Sequence, residues 1–421
     1  MVTNTISQIP LTDKAKKFNF DLEALRGVAA ITVVWGHLII IRPSLDPLFQ
    51  PAGLWSYAPP AHLSVLVFFV LSGYVIGLAH AVPLTLATTL NYLKKRFVRI
   101  YPIYFICLLL ALAVAKQSHS WGTLGSHFTL TQGLFSRVLD TFGPAWSLTY
   151  EAVFYLLFIP ISIYRLSPVY TAALCIVVGC VNAYLFPRFG SPLVSSYAFG
   201  FGLWLCGLAL ARYLRTPKPI ASYASMASFL FLFLAIGKLD APVTIFNQIA
   251  SIALGRDLSL LPSDQPGVVA FRDFGYLPYC LLIIIAFSGR QVKLFKQVQL
   301  VLLALPILTY YYYYKHWDAS TVSIIFLPTL FYGLAILLFM FPHQFEVLAH
   351  KLIHALIPTG SISYGLYIVH FPILFAFAHL QSFSGTGFTF AARTVCFLAI
   401  CAIAAYLLEK KFQPWVRKAF F

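Results

Sequence analysis

Charged side chains are scarce in this sequence, with Asp, Glu, Lys and Arg making up 10% of its 421 residues against about a quarter in an average soluble domain. That scarcity excludes an ordinary water-soluble enzyme. Acids are the scarcer kind, 13 against 29 basic residues, which leaves a formal net charge of +16. In a polar protein such a balance suggests nucleic acid. Here the basic residues are too thinly spread among apolar runs to build a phosphate-binding face, so no nucleic-acid partner is expected. The seven cysteines, Cys107, Cys175, Cys180, Cys206, Cys280, Cys396 and Cys401, include no C-x-x-C pair, and each lies in an apolar run. This argues against a disulfide framework or a zinc site and reads them as small buried apolar residues. The apolar run from Gly27 has no small-residue cleavage site and carries a histidine, so it reads as a first spanning helix rather than a cleaved signal peptide. No internal repeat relates the two halves, which counts against a repeat-built transporter.

What is present is apolar residue, 60% of the chain. A bilayer core needs about 20 mainly apolar residues per helix, and about twelve stretches qualify. They lie near 24–42, 61–79, 98–115, 145–164, 168–187, 195–211, 221–237, 273–289, 298–314, 322–341, 362–380 and 391–408, with those near 221, 273 and 298 the weakest. The polar insertions 116–144 and 238–272 are too short for independent domains. The expected fold is an all-α polytopic membrane bundle of about ten to twelve spanning helices with no fused soluble domain. It divides into an N-terminal tail over 1–20, a membrane domain over 21–408 and a C-terminal tail over 409–421. Most basic residues, including Lys14, Lys16, Lys17, Lys94, Lys95, Arg165, Arg212, Lys410, Lys411, Arg417 and Lys418, collect on one side if each stretch crosses once. The positive-inside rule makes that side, and both termini, cytoplasmic. The rest, Lys116 and Arg393 among them, scatter through the other connections. The five-tyrosine run Tyr310 to Tyr314 falls at a predicted outer boundary and reads as an interfacial aromatic belt rather than a sugar-stacking platform.

Ionisable groups in spanning helices cost a few kcal/mol, so each needs a partner, a cavity or a function. In DLEALRGVAAITVVWGHL, eleven residues separate Arg26 from His37. That spacing turns a helix about 1100°, ~20° past three full turns, and puts both on one face. Glu23 can pair with Arg26, which leaves His37 deep in the membrane, either a packing histidine or a chemical one. Arg96 and Arg99, at i and i+3, can turn two guanidinium forks towards phosphate or carboxylate, or simply anchor the topology. In WSLTYEAVFYLLF, Ser147, Glu151 and Tyr155 follow on one helix face. Glu151 and His37 both fall in the outer half of the membrane and can meet, as a structural pair or as a carboxylate steadying an imidazolium. In SISYGLYIVHFP, Ser363, Tyr367 and His370 share a face with Tyr364 on its flank, a set suited to lining a polar cavity.

At these residues the chain resembles the acyltransferase family 3 membrane proteins, which move acyl groups from acyl-CoA to hydroxyls, mostly on cell-surface carbohydrates. The resemblance runs in family order through LEALRGVAAITVVWGHL, FFVLSGYVIGL, RFVRIYP, WSLTYEAVFYLLF and ISYGLYIVHFP, from residue 22 to 373. It implies that Arg26 and His37 are the family's Arg-x10-His pair, usually regarded as catalytic, and that Arg96 and Arg99 are its Arg-x-x-Arg motif, associated with the donor. Glu151 is similar to the acid of the family's Trp-Ser-Leu helix, and Glu23 stands where many members carry an acid. The implied activity is O-acylation, most readily O-acetylation, of a surface carbohydrate or glycolipid from cytoplasmic acyl-CoA in a bacterial inner membrane. The family's esterase-like extension does not follow, so either the membrane domain completes transfer or a separate partner assists. Thioester transfer needs no metal, and none is expected. His37 would act as general base or transient acyl carrier, with Glu151 stabilising its charged form. The rival reading is a proton-coupled transporter or exporter, with His37, Glu151 and His370 relaying protons.

Overall fold

Lipid offers backbone amides no hydrogen-bond partner, so a spanning chain must satisfy them within helices or a closed barrel. The computed structural model describes residues 20–41, 45–185, 192–214, 221–254, 267–290, 292–318 and 321–420, and no strand occurs among them. Lys14, Lys16 and Lys17, with nearly all of the expected N-terminal tail, lie outside the described residues. The helices are α1 (Phe20–Ile40), α2 (Ala61–Ala79), α3 (Leu86–Val114), α4 (Trp121–Phe128), α5 (Trp146–Ile163) and α6 (Pro168–Leu185). They continue as α7 (Pro192–Tyr213), α8 (Tyr223–Ile236), α9 (Ala241–Leu254), α10 (Leu277–Phe287), α11 (Phe295–Ala304) and α12 (Pro306–Lys315). The described chain closes with α13 (Thr321–Met340), α14 (Pro342–Gly360), α15 (Ser363–Ala378), α16 (Gly387–Tyr406) and α17 (Gln413–Phe420).

Eight helical segments are long and apolar enough to cross a membrane. Two bent pairs, α8 with the start of α9 at 61° and α14 with α15 at 67°, raise the possible number to ten. This is the lower end of the expected range, and two expected spans account for the difference. The run near 273–289 yields only α10, whose 11 residues reach about 16 Å, half of a hydrocarbon core. Its side chains from Leu282 to Phe287 are all buried, making it an internal core helix. The run near 298–314 divides between α11 and α12 at Pro306, where the ring removes an amide donor and crowds the preceding turn. Helices α4, α9 and α14 arise where no span is predicted, because polar residues dilute their hydropathy while apolar positions keep helical spacing.

The backbones of α2 and α7 cross in close contact. A Cβ placed on Gly73 would lie 1.9 Å from the Trp204 carbonyl oxygen, and one on Gly207 would lie 1.9 Å from that of Val70. Only glycine permits backbones to approach so closely. Helix α1 packs along α14 and also meets α2 and α15, which brings its chemistry-bearing face against α15.

At its far end the sequence departs from the expected tail. A π-helical turn over Leu407–Phe412 joins α16 to α17 without a break at 408, and Glu409 and Val416 are buried. Arg393, read from sequence as a charge in a connection, is buried within α16. It donates to the carbonyls of Leu45, Phe377, Leu380, Ser382 and Phe383. Cys107, Cys280 and Cys401 are buried as expected, whereas Cys396 is exposed on α16 beside exposed Val395 and Leu398. Tyr311, Tyr312 and Tyr314 are exposed on α12, while Tyr310 donates to Thr329.

Candidate active site

The two ends of α1 carry its polar residues into different surroundings. Near its start, Arg26 pairs with Glu23 at 2.9 Å, one turn apart as the spacing predicts. Near its end, His37 meets α15, where its Nδ1 lies 2.8 Å from Nε2 of His370. The rings are nearly parallel, with Phe371 edge-on to His37. His370 Nδ1 lies 3.2 Å from the Leu366 carbonyl oxygen, one turn earlier in α15.

This chain of contacts assigns the protons. A carbonyl oxygen only accepts, so His370 Nδ1 carries the hydrogen and its Nε2 is an acceptor. His37 Nδ1 therefore donates to His370, and His37 Nε2 is left with an open lone pair. One backbone carbonyl thus fixes both tautomers and leaves His37 Nε2 as an acceptor. His370 is fully buried, which shields the relay from water.

Glu151 does not join this relay. On α5 it accepts hydrogen bonds from Tyr155, one turn on, and from Ser72 of α2 at 3.2 Å. Trp204 donates its indole N–H to Ser72 at 3.3 Å. The expected meeting of Glu151 and His37 fails because α5 presents Ser147, not Glu151, to the histidine-bearing helix. Ser147 hydrogen-bonds Tyr367 at 2.7 Å, and both hydroxyls reach the Pro144 carbonyl. Glu151 lies a turn further from the histidines, towards the arginines of α3.

The arginines are not equivalent. Arg99 donates to Glu409 at 3.3 Å and to Gln413 at 3.4 Å, with Tyr364 beneath its guanidinium. Glu409 also accepts the backbone amides of Tyr364 and Gly365 at the start of α15. Arg99 is therefore committed to fastening the chain's end onto α3 and α15. Arg96 instead lies over the rings of Tyr92 and Tyr155, and its buried Nε finds no hydrogen-bond partner among the described residues. The two arginines therefore differ in their partners, and the forks are not aimed alike.

A polar column therefore links two levels of the bundle. It comprises a group of Arg96, Tyr155, Glu151 and Ser72 and, one helical turn along α5, the pair Ser147 and Tyr367, with the Tyr367 ring 6.4 Å from that of His370, the partner of His37. Along α15 the rise from Tyr364 to His370 is about 9 Å. Tyr364 donates to the Ile100 carbonyl at 2.7 Å, and Ser363 Oγ is buried with no partner among the described residues. Sequence spacing missed Ser72, Tyr92 and Glu409. Ser72 stands in the FFVLSG run, where its hydroxyl was the available signal, whereas Glu409 reads as part of a charged tail. Also missed is His62, whose Nε2 lies 3.0 Å from the buried carboxylate of Asp273, near Trp146. Among the described residues no group of three His, Cys, Asp or Glu is placed to hold a metal.

A histidine pair and neighbouring hydroxyls thus lie inside a bundle whose helices are long and apolar enough to cross a membrane. The chain belongs to acyltransferase family 3, whose model, described as an acyltransferase domain, matches residues 19–410. It is accordingly an acyltransferase. Comparison with curated proteins and with solved structures finds no match in either.

Proposed function

We propose that this acyltransferase moves an acyl group, most readily acetyl, from cytoplasmic acyl-CoA to a hydroxyl of a surface carbohydrate or glycolipid. The observation that carries the reading is the tautomer-fixed His37–His370 pair at one end of the column, with Arg96 at the other. The excess of basic residues on one side supports a cytoplasmic Arg96 end, with both described ends of the chain on the same side. Its setting is a plasma membrane, the bacterial inner membrane on family grounds.

Arg96 holds a phosphate of the donor by charge-assisted hydrogen bonds, and the pantetheine arm follows the hydroxyl-lined column. His37 Nε2 takes the proton of the acceptor hydroxyl as its oxygen attacks the thioester carbonyl. The C–S bond breaks, and the proton passes from His37 to the departing thiolate. His370 accepts the His37 Nδ1–H throughout and steadies the imidazolium, the task the sequence reading gave to Glu151. Glu151, Tyr155, Ser147, Tyr367, Tyr364 and Ser363 line the arm's path. Arg26, neutralised by Glu23, stands on the same α1 face nearer the donor side, where it favours developing negative charge. A separate partner completing export of the acyl group fits the same chemistry.

The test is CoA release from acetyl-CoA by the purified full chain in nanodiscs, with a carbohydrate acceptor mixture. Release by the native protein, and its loss in His37→Ala with the thermal unfolding profile retained, is the expected result. Near-normal release by that variant overturns the assignment.

A further inference from the structure

The mechanism uses the column but leaves a second basic site on the same level of the bundle. Helices α2, α5 and α7 end there, and His80, Ser162, Arg165 and Arg212 line a cavity of about 180 Å³ between them. A single water needs about 15 Å³ by the same kind of measure, so the space holds a phosphoryl group with part of its substituent. The cavity adjoins the donor side of the column, because His80 meets the ring of Tyr92, which in turn lies under Arg96.

Three features point to a ligand. Arg212 is braced by its hydrogen bond to the Leu166 carbonyl at 3.3 Å, which presents a fixed fork. Ser162 Oγ accepts the amide of Leu84 at 2.9 Å, so its own O–H remains a donor at the cavity wall. Arg165 closes α5 in the left-handed region at φ 55, where its amide and that of Leu166 return to the carbonyls of Ser162 and Ile161. Glycine is the usual residue at such a helix end, and an L side chain there costs about 1 kcal/mol. An exposed arginine held in this strained backbone position is an outlier that invites a functional reading. The competing explanation is that both arginines merely offset helix dipoles. Three C-terminal ends contribute about −0.5 charge each, but Arg165 would satisfy that role without occupying a strained position.

We infer that this cavity is a phosphate-binding site, filled by a terminal phosphate of a ligand that reaches the donor side of the bundle. Resting on the donor reading above, the phosphate is the 3′-phosphate of CoA. An anionic lipid headgroup offers the same chemistry, and the experiment separates the two. Arg165→Gly is the decisive variant, since it deletes the charge while easing the backbone, so lost binding cannot be blamed on a lost fold.

Binding of CoA and of 3′-dephospho-CoA is measured on the full chain in phosphatidylcholine nanodiscs, and thermal midpoints are compared with and without phosphatidylglycerol. The expected result is that the native protein binds CoA about tenfold more tightly than the dephospho form, one charge-assisted contact's worth. Arg165→Gly should bind the two forms alike, with an unchanged or higher midpoint, and Arg212→Gln should reproduce the lost preference. If the native protein ignores the 3′-phosphate but is stabilised by phosphatidylglycerol through Arg165, the site stands with a lipid as its source. That outcome is readable even if no CoA release is seen. A nucleotide preference and a lipid response both unaltered in Arg165→Gly overturn the proposal.

Discussion

His37 and His370 stand 333 positions apart in sequence yet hydrogen-bond at 2.8 Å, and the consequences are sharpest at the level of single residues. Replacing His370 with Ala removes the acceptor that holds the His37 tautomer. Turnover should fall about 100-fold or more, the usual scale of a misdirected base, while the donor KM changes little. His370→Gln, which keeps an acceptor, should recover part of that rate; steady-state kinetics on both variants checks this. The arginines should separate by type of defect. Arg96→Gln should raise the acyl-CoA KM with the fold intact, whereas Arg99→Gln should lower the thermal midpoint, because it leaves the buried Glu409 carboxylate without its guanidinium partner. At this scale, spacing revealed which residues share a helix face but not which helix that face meets. Ser363, Tyr367 and His370 were legible as neighbours on one helix, and Arg26 with Glu23 as a pair. The partner of His37 was not, because nothing local encodes the rotation of α5 that turns Glu151 away.

Helices are fixed to one another here by small residues and by a few strong hydrogen bonds. Gly73→Ala would place a methyl within the Trp204 backbone, and overpacking of this kind costs about 1–3 kcal/mol. A lowered thermal midpoint, with activity lost only on unfolding, is the expected signature. At the opposite end from the arginines of α3, Asp46 fastens the segment after α1 to α16. Burial pushes its carboxyl up, but hydrogen bonds from Ser384, Thr389, Gly385 and Leu48 outweigh that and hold it below its ordinary value of 3.8. A group lowered by folding stabilises above its unfolded pKa and loses that contribution as pH falls through the lowered value. The stability gap between native protein and Asp46→Asn should be full at pH 7 and shrink below about pH 4, as thermal melts across pH will show. Element positions were largely legible from hydropathy. The failures have physical causes: Pro306 divides one run, α10 is too short to span, and the polar residues of α14 conceal a helix that packs along α1.

For the molecule as a whole, composition was the most informative quantity. So few charges in so apolar a chain left only a bundle of spanning helices, and the order of five short motifs identified the family that the match over residues 19–410 shows. What composition did not carry was the count of crossings, since bent pairs such as α14 with α15 read as one span or two by hydropathy alone. Sidedness is open to direct measurement. A reporter fused after Phe420 should be active only as a cytoplasmic reporter, and Lys94 and Lys410 changed to Cys in a cysteine-free background should label only from the cytoplasmic side. Labelling from outside would reverse the orientation and, with it, the side from which the donor enters.

The crossing of α2 and α7 has a mechanical meaning as well. A slip of one residue, about 1.5 Å along the axis, would drive Ala211 or Leu208, already against Gly77, into the opposing backbone. The two helices behave as a single beam, and the beam carries Ser72 and Trp204 on one side of the column. A second such joint lies where α14 turns towards α15, for a Cβ on Gly360 would fall 1.8 Å from the Glu23 carbonyl oxygen of α1, so the helix that bears His370 starts from a point registered against the helix that bears His37.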